Sequence, residues 1–224
     1  MPEPMAGEAV LQVPAGRLVL ASNNAKKLAE LRPLFEPLGL VLVSQGALGV
    51  AEADEPFHSF LENALAKARH AAAATGLPAI ADDSGLCVDA LGGAPGVDSA
   101  HYAAVALPEG DREARRRVQD DANNRRLLQA MEGIADRRAR FVCTLVAVRS
   151  AADPEPLVAT GRWQGRLRDE ARGAGGFGYD PLLAVPPDGR SVAELGPDEK
   201  NARSHRALAA RQMVGLMREA WHLG

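Results

Sequence analysis

The chain has 224 residues, 46% of them hydrophobic, and a formal net charge of -3. That length and apolarity exclude a disordered chain and allow a sizeable core, as one large domain or two closely joined lobes. The near-balanced charge gives no basis for non-specific nucleic-acid binding, which needs a strong basic excess. No apolar run approaches the roughly 20 residues of a membrane-spanning helix. Met1 to Gly16 carries Glu3, Glu8 and three prolines but no basic charge, unlike a signal peptide. The expectation is a flexible leader over 1–16, a single two-lobed domain over 17–224 and a cytoplasmic location. Cys87 and Cys143 each lie in an apolar run and are read as buried thiols rather than a disulfide.

Arg17 to Ala21 is a short apolar strand, and Ser22 or Asn24 caps a helix running to about Phe35. Pro37 and Gly39 end it, and Leu40 to Ser44 forms a second strand, so the chain opens as α/β. Ala47 to Phe57 is acidic and aperiodic, a loop. Ser59 and Glu62 form a capping box for a helix to about Thr75, with Leu61, Leu65, Ala68 and Ala72 on its apolar stripe and Asn63 and Lys67 on another face. Gly76 closes this helix. Pro78 to Ala81 reads as a short strand that delivers Asp82, Asp83, Ser84 and Gly85 at its end. Gly92 to Asp98 is too glycine-rich for regular structure.

A polar, arginine-rich helix spans about Asp111 to Met131, and Arg140 to Arg149 is the strongest strand. Leu157 to Gly161 and Trp163 to Leu167 read as two strands paired around a tight turn. Gly173 to Pro181 is a second glycine-rich loop. A final helix runs from about Ser204 to Ala220 with Leu208, Val214 and Met217 among its apolar positions.

Four segments carry residue types suited to chemistry. Ser22-Asn23-Asn24-Ala25-Lys26-Lys27 stands between a strand and a helix, where free backbone N–H groups favour anions. The plain alternative is a helix cap with surface lysines. Asp82 and Asp83 are adjacent carboxylates that a divalent cation would neutralise, although strand alternation leaves only one of them to ligate directly. An ordinary turn is the alternative. Asp54-Glu55 offers a further ligand or simply a solvated loop. Gly175 to Pro181 places Phe177 and Tyr179 among three glycines, either a platform for a flat ligand or a rigid turn whose aromatics plug the core. Lys200 with Ser204-His205-Arg206 offers three basic groups at a helix start, for phosphate or base carbonyls or as a charged cap. His58, His70, His101 and His222 lack metal-ligand spacing.

Taken together and in order, these segments resemble the inosine triphosphate pyrophosphatase family, whose bacterial members are the dITP/XTP or non-canonical purine NTP pyrophosphatases. The resemblance covers Arg17 to Ala220 and includes Phe60 to Ala64 and Leu91 to Gly96 besides the four segments. It implies a mixed α/β fold with a long central sheet and two lobes enclosing a cleft, Mg²⁺ as cofactor and a homodimer. The implied reaction cleaves dITP, ITP and XTP between the α and β phosphates, which clears deaminated purines. Ser22 to Lys27 would cradle the triphosphate, with Ser22, Asn24 and Lys27 in contact. Glu55 would lie near the metal, Lys67 would reach the phosphates, and Asp83 would be metal ligand and proton acceptor, supported by Asp82. Ser84 would touch substrate, Phe177, Gly178, Tyr179 and Asp180 would hold base and sugar, and Lys200, His205 and Arg206 would meet the purine 6-keto edge. The chain departs from the family in its leader, in Asn23 where relatives have glycine, and in His58 at a usually apolar position.

Overall fold

The structure, a computed structural model, describes residues 16–223. The expected leader over 1–16 therefore lies outside the described residues, apart from Gly16. The elements are strands β1 (Arg17–Leu20), β2 (Val41–Ser44), β3 (Ala79–Val88), β4 (Arg138–Val148), β5 (Leu157–Leu167) and β6 (Leu183–Ala184), with helices α1 (Ala25–Phe35), α2 (Phe60–Thr75), α3 (Arg112–Ala130), α4 (Pro197–Arg203) and α5 (His205–Ala220). The strands form one mixed sheet in the order β2-β1-β3-β4-β5-β6. β1 runs parallel to β2 and β3, and the pairs from β3 onward are antiparallel. No helix among the described residues is long and apolar enough to cross a membrane.

Side-chain alternation along the strands decides which helix covers which face. Leu18, Leu20, Ile80, Cys143 and Leu145 point to one face, where α1 brings Leu31 and Phe35 and α5 brings Ala209, Ala210, Met213 and Met217. Val19, Ala79, Ala81, Val146 and Val148 point to the other, onto the alanines Ala64, Ala68, Ala71 and Ala72 of α2. Small residues there let helix and sheet approach closely. The far halves of β3, β4 and β5 build a second core, in which Leu86, Val88, Phe141 and Trp163 meet Leu127 and Met131 of α3 and Tyr179 and Leu182 of the loop beyond β5. Two cores along one sheet make two lobes, and the cleft opens between them.

Three expectations about the elements change. β3 does not stop before Asp82: the ladder to β4 continues through Asp82↔Leu145, Asp83↔Thr144 and on to Val88↔Ala139. The carboxylates are thus carried in mid-strand. Leu157 to Leu167 is one continuous strand, not a hairpin, and Gly161 lies within it opposite Cys143. Glycine is required there for packing rather than turning, because a Cβ would collide with the His205 carbonyl oxygen at the start of α5. Within 92–98, Pro95 forms a bridge to Cys87 and a 3₁₀ turn covers Gly96–His101.

Candidate active site

At the start of α1 the Asn24 Oδ1 accepts from the N–H groups of Lys26 (3.0 Å) and Lys27 (3.3 Å), and Ser22 Oγ accepts from Asn24 N–H (3.2 Å). These caps fix the turn that sends Lys27 inward. Ser22, Asn24 and Lys27 line a cleft of about 760 Å³, a volume suited to a nucleotide-sized ligand. Lys26 instead turns outward to Glu113 on α3 (3.0 Å). Asn23 sits over Gly46, where a Cβ would collide with its side-chain oxygen, and that oxygen is buried without a partner.

Asp82 and Asp83 point to opposite faces of β3 and meet different cations. Asp82 is 1% exposed. Its Oδ1 pairs with Lys27 and accepts from Ser84 Oγ (2.9 Å), and its Oδ2 accepts from Arg206 Nε (2.8 Å) and Cys143 Sγ (3.1 Å). Burial pushes this carboxyl up, but Arg206 and Lys27 outweigh it and hold it well below the usual carboxylate range. Arg206 is equally committed, with Nη1 on Glu30 and Nη2 donating to Ser84 Oγ (3.1 Å). All of Asp82's acceptor capacity therefore goes to protein donors.

On the other face, Lys67 donates to Asp83 Oδ1 (2.8 Å) and to Glu55 Oε2 (2.7 Å). The helix places Lys67 there, and Asn63 one turn earlier pins the acidic loop by exchanging two hydrogen bonds with the Phe57 backbone, at 3.0 and 3.2 Å. Asp83 Oδ2 is buried and has no partner. Burial pushes the Asp83 carboxyl up, to about 6, with Lys67 pulling it down and Glu55 pushing it up. Burial also raises Glu55, but Lys67 outweighs it and its pKa falls. Two carboxylates sharing one ammonium, each with its second oxygen left over, form a hard, oxygen-only donor set. That fits Mg²⁺, which takes one or two carboxylates and completes its shell with water and substrate phosphates. Among the described residues no group of three or more His, Cys, Asp or Glu is arranged to hold a metal by itself.

The glycine-rich loop forms the opposite end. Phe177 is half-buried, and three cations surround its ring: Lys200 Nζ at 4.6 Å, the Arg116 guanidinium at 4.8 Å and Lys26 Nζ at 5.7 Å. Tyr179 belongs to the core, with its hydroxyl donating to Ser99 O (2.9 Å), so of the two aromatics only Phe177 is free to act as a platform. Asp180 closes the loop on itself, its Oδ2 accepting from Phe177 N–H (2.9 Å) and Lys200 Nζ (2.8 Å). Gly176 is required here, since a Cβ would collide with that Asp180 oxygen. His205 stacks on Phe141 with ring centroids 5.0 Å apart. Burial and the neighbouring Arg206 push its pKa well down, so it is neutral, and its Nδ1 is buried without a partner.

The structure adds residues in and behind the cleft that no motif marked. Glu30, on α1, pairs with both Arg206 and Lys200 (3.5 Å to the latter). Arg112, Arg115, Arg116 and Asp120 of α3 line the cleft, and Arg112 bridges to Glu52 (2.8 Å) on the opposite wall. A helical spacing of four from Arg112 through Arg116 to Asp120 was present in the sequence, but a charged face reads equally as a solvated one.

A two-lobed mixed sheet, with lysines and arginines around a cleft and a carboxylate pair at one end, defines a protein built to hold a polyanion. The family model described as the Ham1 family matches residues 18–216, and the chain belongs to that family. A protein from Leptothrix cholodnii called dITP/XTP pyrophosphatase is 70% identical over 210 residues, covering 92% of this chain and 99% of that protein. One of the same name from Burkholderia pseudomallei is 57% identical over 203 residues, 91% of this chain and 94% of that protein. Among solved structures, a HAM1 protein from Coxiella burnetii aligns with a TM-score of 0.81 and 42% identity over 91% of this chain and 99% of that one.

Proposed function

We propose that this protein hydrolyses the non-canonical purine nucleoside triphosphates dITP, ITP and XTP to the monophosphate and pyrophosphate, using Mg²⁺, and so removes deaminated purines from the nucleotide pool. The observation that carries this is the pairing, in one cleft, of Lys67 and Glu55, with Asp83 held behind them on Lys67, at one end and the Phe177 platform at the other. The names of the relatives from Leptothrix cholodnii and Burkholderia pseudomallei support the substrate class. A cytoplasmic homodimer is part of the same reading and rests on the family resemblance.

Asp83 and Glu55 would hold the Mg²⁺, and Asp82, its oxygens taken by cations, would support them from the other face of the strand. A divalent ion bound there would shield phosphate charge and acidify bound water. Ser22, the Asn24 amide and Lys27 receive the phosphate oxygens, at a helix start whose positive end favours anions. Lys27 and Lys67 offset the charge that develops as the α–β bridging bond breaks, the dominant contribution in phosphoryl chemistry. Asp83 Oδ2, buried and unpartnered, takes the proton from the water that attacks the α phosphorus.

At the other end Phe177 carries the purine, and Lys200, His205 and Arg206 lie along its edge. Neutral His205 retains one ring N–H, and Arg206 uses its three nitrogens on Asp82, Glu30 and Ser84 with N–H capacity to spare. Such donors match a 6-keto oxygen and leave the 6-amino group of adenine mispaired, at about 1–3 kcal/mol per unsatisfied buried group. The test is pyrophosphate release from dITP, XTP, dGTP, dATP and dUTP, with Mg²⁺ and after EDTA. Release from dITP and XTP that vanishes on chelation and returns with Mg²⁺ is expected. Undiminished activity after exhaustive chelation, or equal rates on dATP, would overturn the reading.

A further inference from the structure

The loop that carries Phe177 is held by a helix that no motif connects to it. Gly178 has φ of 61°, in the left-handed region that favours glycine, so its peptide groups are turned away from regular pairing. Both are nonetheless satisfied, and by the same helix. The Gly178 N–H donates to Asp120 Oδ2 (2.9 Å), and the Gly178 C=O accepts from Asn124 Nδ2 (3.0 Å). Asp120 and Asn124 are one turn apart on α3 and share a stripe with Arg116, one turn earlier, whose guanidinium lies over the Phe177 ring. A planar guanidinium resting on that ring shows that its face accepts a flat, electron-poor group.

This stripe is not what anchors α3. The helix is fixed by different side chains: Gln119 Nε2 donates to Ala103 O (2.8 Å), Asn123 Nδ2 donates to Ser99 O and Ala100 O (3.1 Å each), and Leu127 and Met131 enter the core. Asp120 and Asn124 are therefore free to serve the loop.

We propose that Asp120 and Asn124 are positioning residues for base recognition: by clamping both sides of the Gly178 peptide they hold Phe177 at the angle at which a purine stacks. This rests on the reading of the cleft as a nucleotide site with its base end at Phe177. The side-chain hydrogen bonds of Asp120 and Asn124 both go to Gly178 of the loop, so their effect belongs to the base and not to the phosphates.

The experiment compares wild type, Asp120→Ala, Asn124→Ala and Asp120→Asn in kcat and KM for dITP with Mg²⁺, and in inhibition by inorganic tripolyphosphate, which has phosphates and no base. Each alanine variant is expected to raise KM for dITP about five- to tenfold, the size of one lost hydrogen bond of about 1 kcal/mol or slightly more, with kcat within about twofold. Tripolyphosphate inhibition is expected to stay unchanged, and Asp120→Asn, which keeps a carbonyl acceptor for the Gly178 N–H, is expected to restore the wild-type KM. A parallel loss of tripolyphosphate inhibition in the alanine variants would show a general disturbance of the cleft and overturn the proposal, as would an unchanged KM. A wild-type protein that tripolyphosphate inhibits but that does not discriminate dITP from dATP would instead overturn the base-end reading on which the proposal rests.

Discussion

Asp82 and Asp83 are chemically identical neighbours whose surroundings give them different work, and substitution should separate them. Asp83 has a raised pKa because burial favours its neutral form, so the neutral isostere in Asp83→Asn is tolerated by the fold. The variant should melt near the wild-type temperature while turnover on dITP falls by about 10²–10⁴-fold, the usual worth of a positioned proton acceptor. Near wild-type turnover would remove Asp83 from the mechanism. Arg206→Ala should behave in the opposite way. It strips one of two cationic partners from Asp82, which is 1% exposed and keeps Lys27, and one of two from Glu30, which keeps Lys200. Breaking a buried ion pair by removing one partner costs about 3–5 kcal/mol, which urea unfolding would register. A variant as stable as wild type would show that Lys27 alone suffices to neutralise Asp82. Because Arg206 carries this structural duty, the preference for dITP over dATP is better probed at His205, whose ring makes no ion pair.

At the scale of elements, caps and composition located four of the five α-helices, all but α4, and a strand at each of β1 to β5. They failed where a local signal had a non-local cause. The Asp82-Asp83 pair looked like the end of a strand, since a carboxylate is costly inside a sheet; the strand continues because Lys27 and Arg206 on one face and Lys67 on the other arrive from helices distant in sequence. Gly161 looked like a turn because the helix that needs its missing Cβ comes more than forty residues later. The Ser22–Lys27, Asp82–Gly85, Gly175–Pro181 and Lys200–Arg206 segments that line the cleft were legible as motifs, whereas Glu30, Asp120 and Asn124 were not, because single polar residues on a helix carry no pattern until the fold shows what they face. The β4–β5 connection gives an element-scale prediction. Asp153, fully buried, accepts from the N–H groups of Arg149 (2.7 Å) and Glu155 (3.0 Å) and from the Arg149 guanidinium. Asp153→Ala should cost about 1–3 kcal/mol of stability through these orphaned donors and leave kcat unchanged, since the turn is remote from the cleft. Burial raises the Asp153 carboxyl but the Arg149 hydrogen bonds outweigh it, and its folded pKa falls below the ordinary 3.8. Its charged form is the stabilising one, so the stability gap between wild type and variant should be full above pH 3.8 and shrink as pH falls below it. A gap that widens in acid would refute this assignment.

For the whole molecule, the cleft is assembled from both lobes, so its geometry depends on how they are held. Lys26–Glu113 and Arg112–Glu52 cross its mouth between the first lobe and α3. These pairs are exposed and screened by salt, worth little energetically, which leaves the lobes able to part for a nucleotide. Assembly is a separate question: sedimentation at micromolar concentration should give twice the 23.6 kDa chain mass. A single species at the chain mass would exclude the dimer.

The mid-strand placement of the two carboxylates makes hydrogen-bond register a chemical variable. Along a strand successive side chains alternate faces, so a slip of β3 by one residue against β4 would exchange Asp82 and Asp83. Asp83 would then turn to the face of Arg206, and Asp82 to the face of Lys67 and Glu55. Every atom of the site would still be present, with the wrong acid on each side. The ladder running from Ala79↔Val148 to Val88↔Ala139 prevents this, and its length extends well past the pair it guards. Insertions or deletions within β3 should therefore be far more damaging to turnover than substitutions of its apolar residues, because they change which carboxylate faces Lys67 and Glu55.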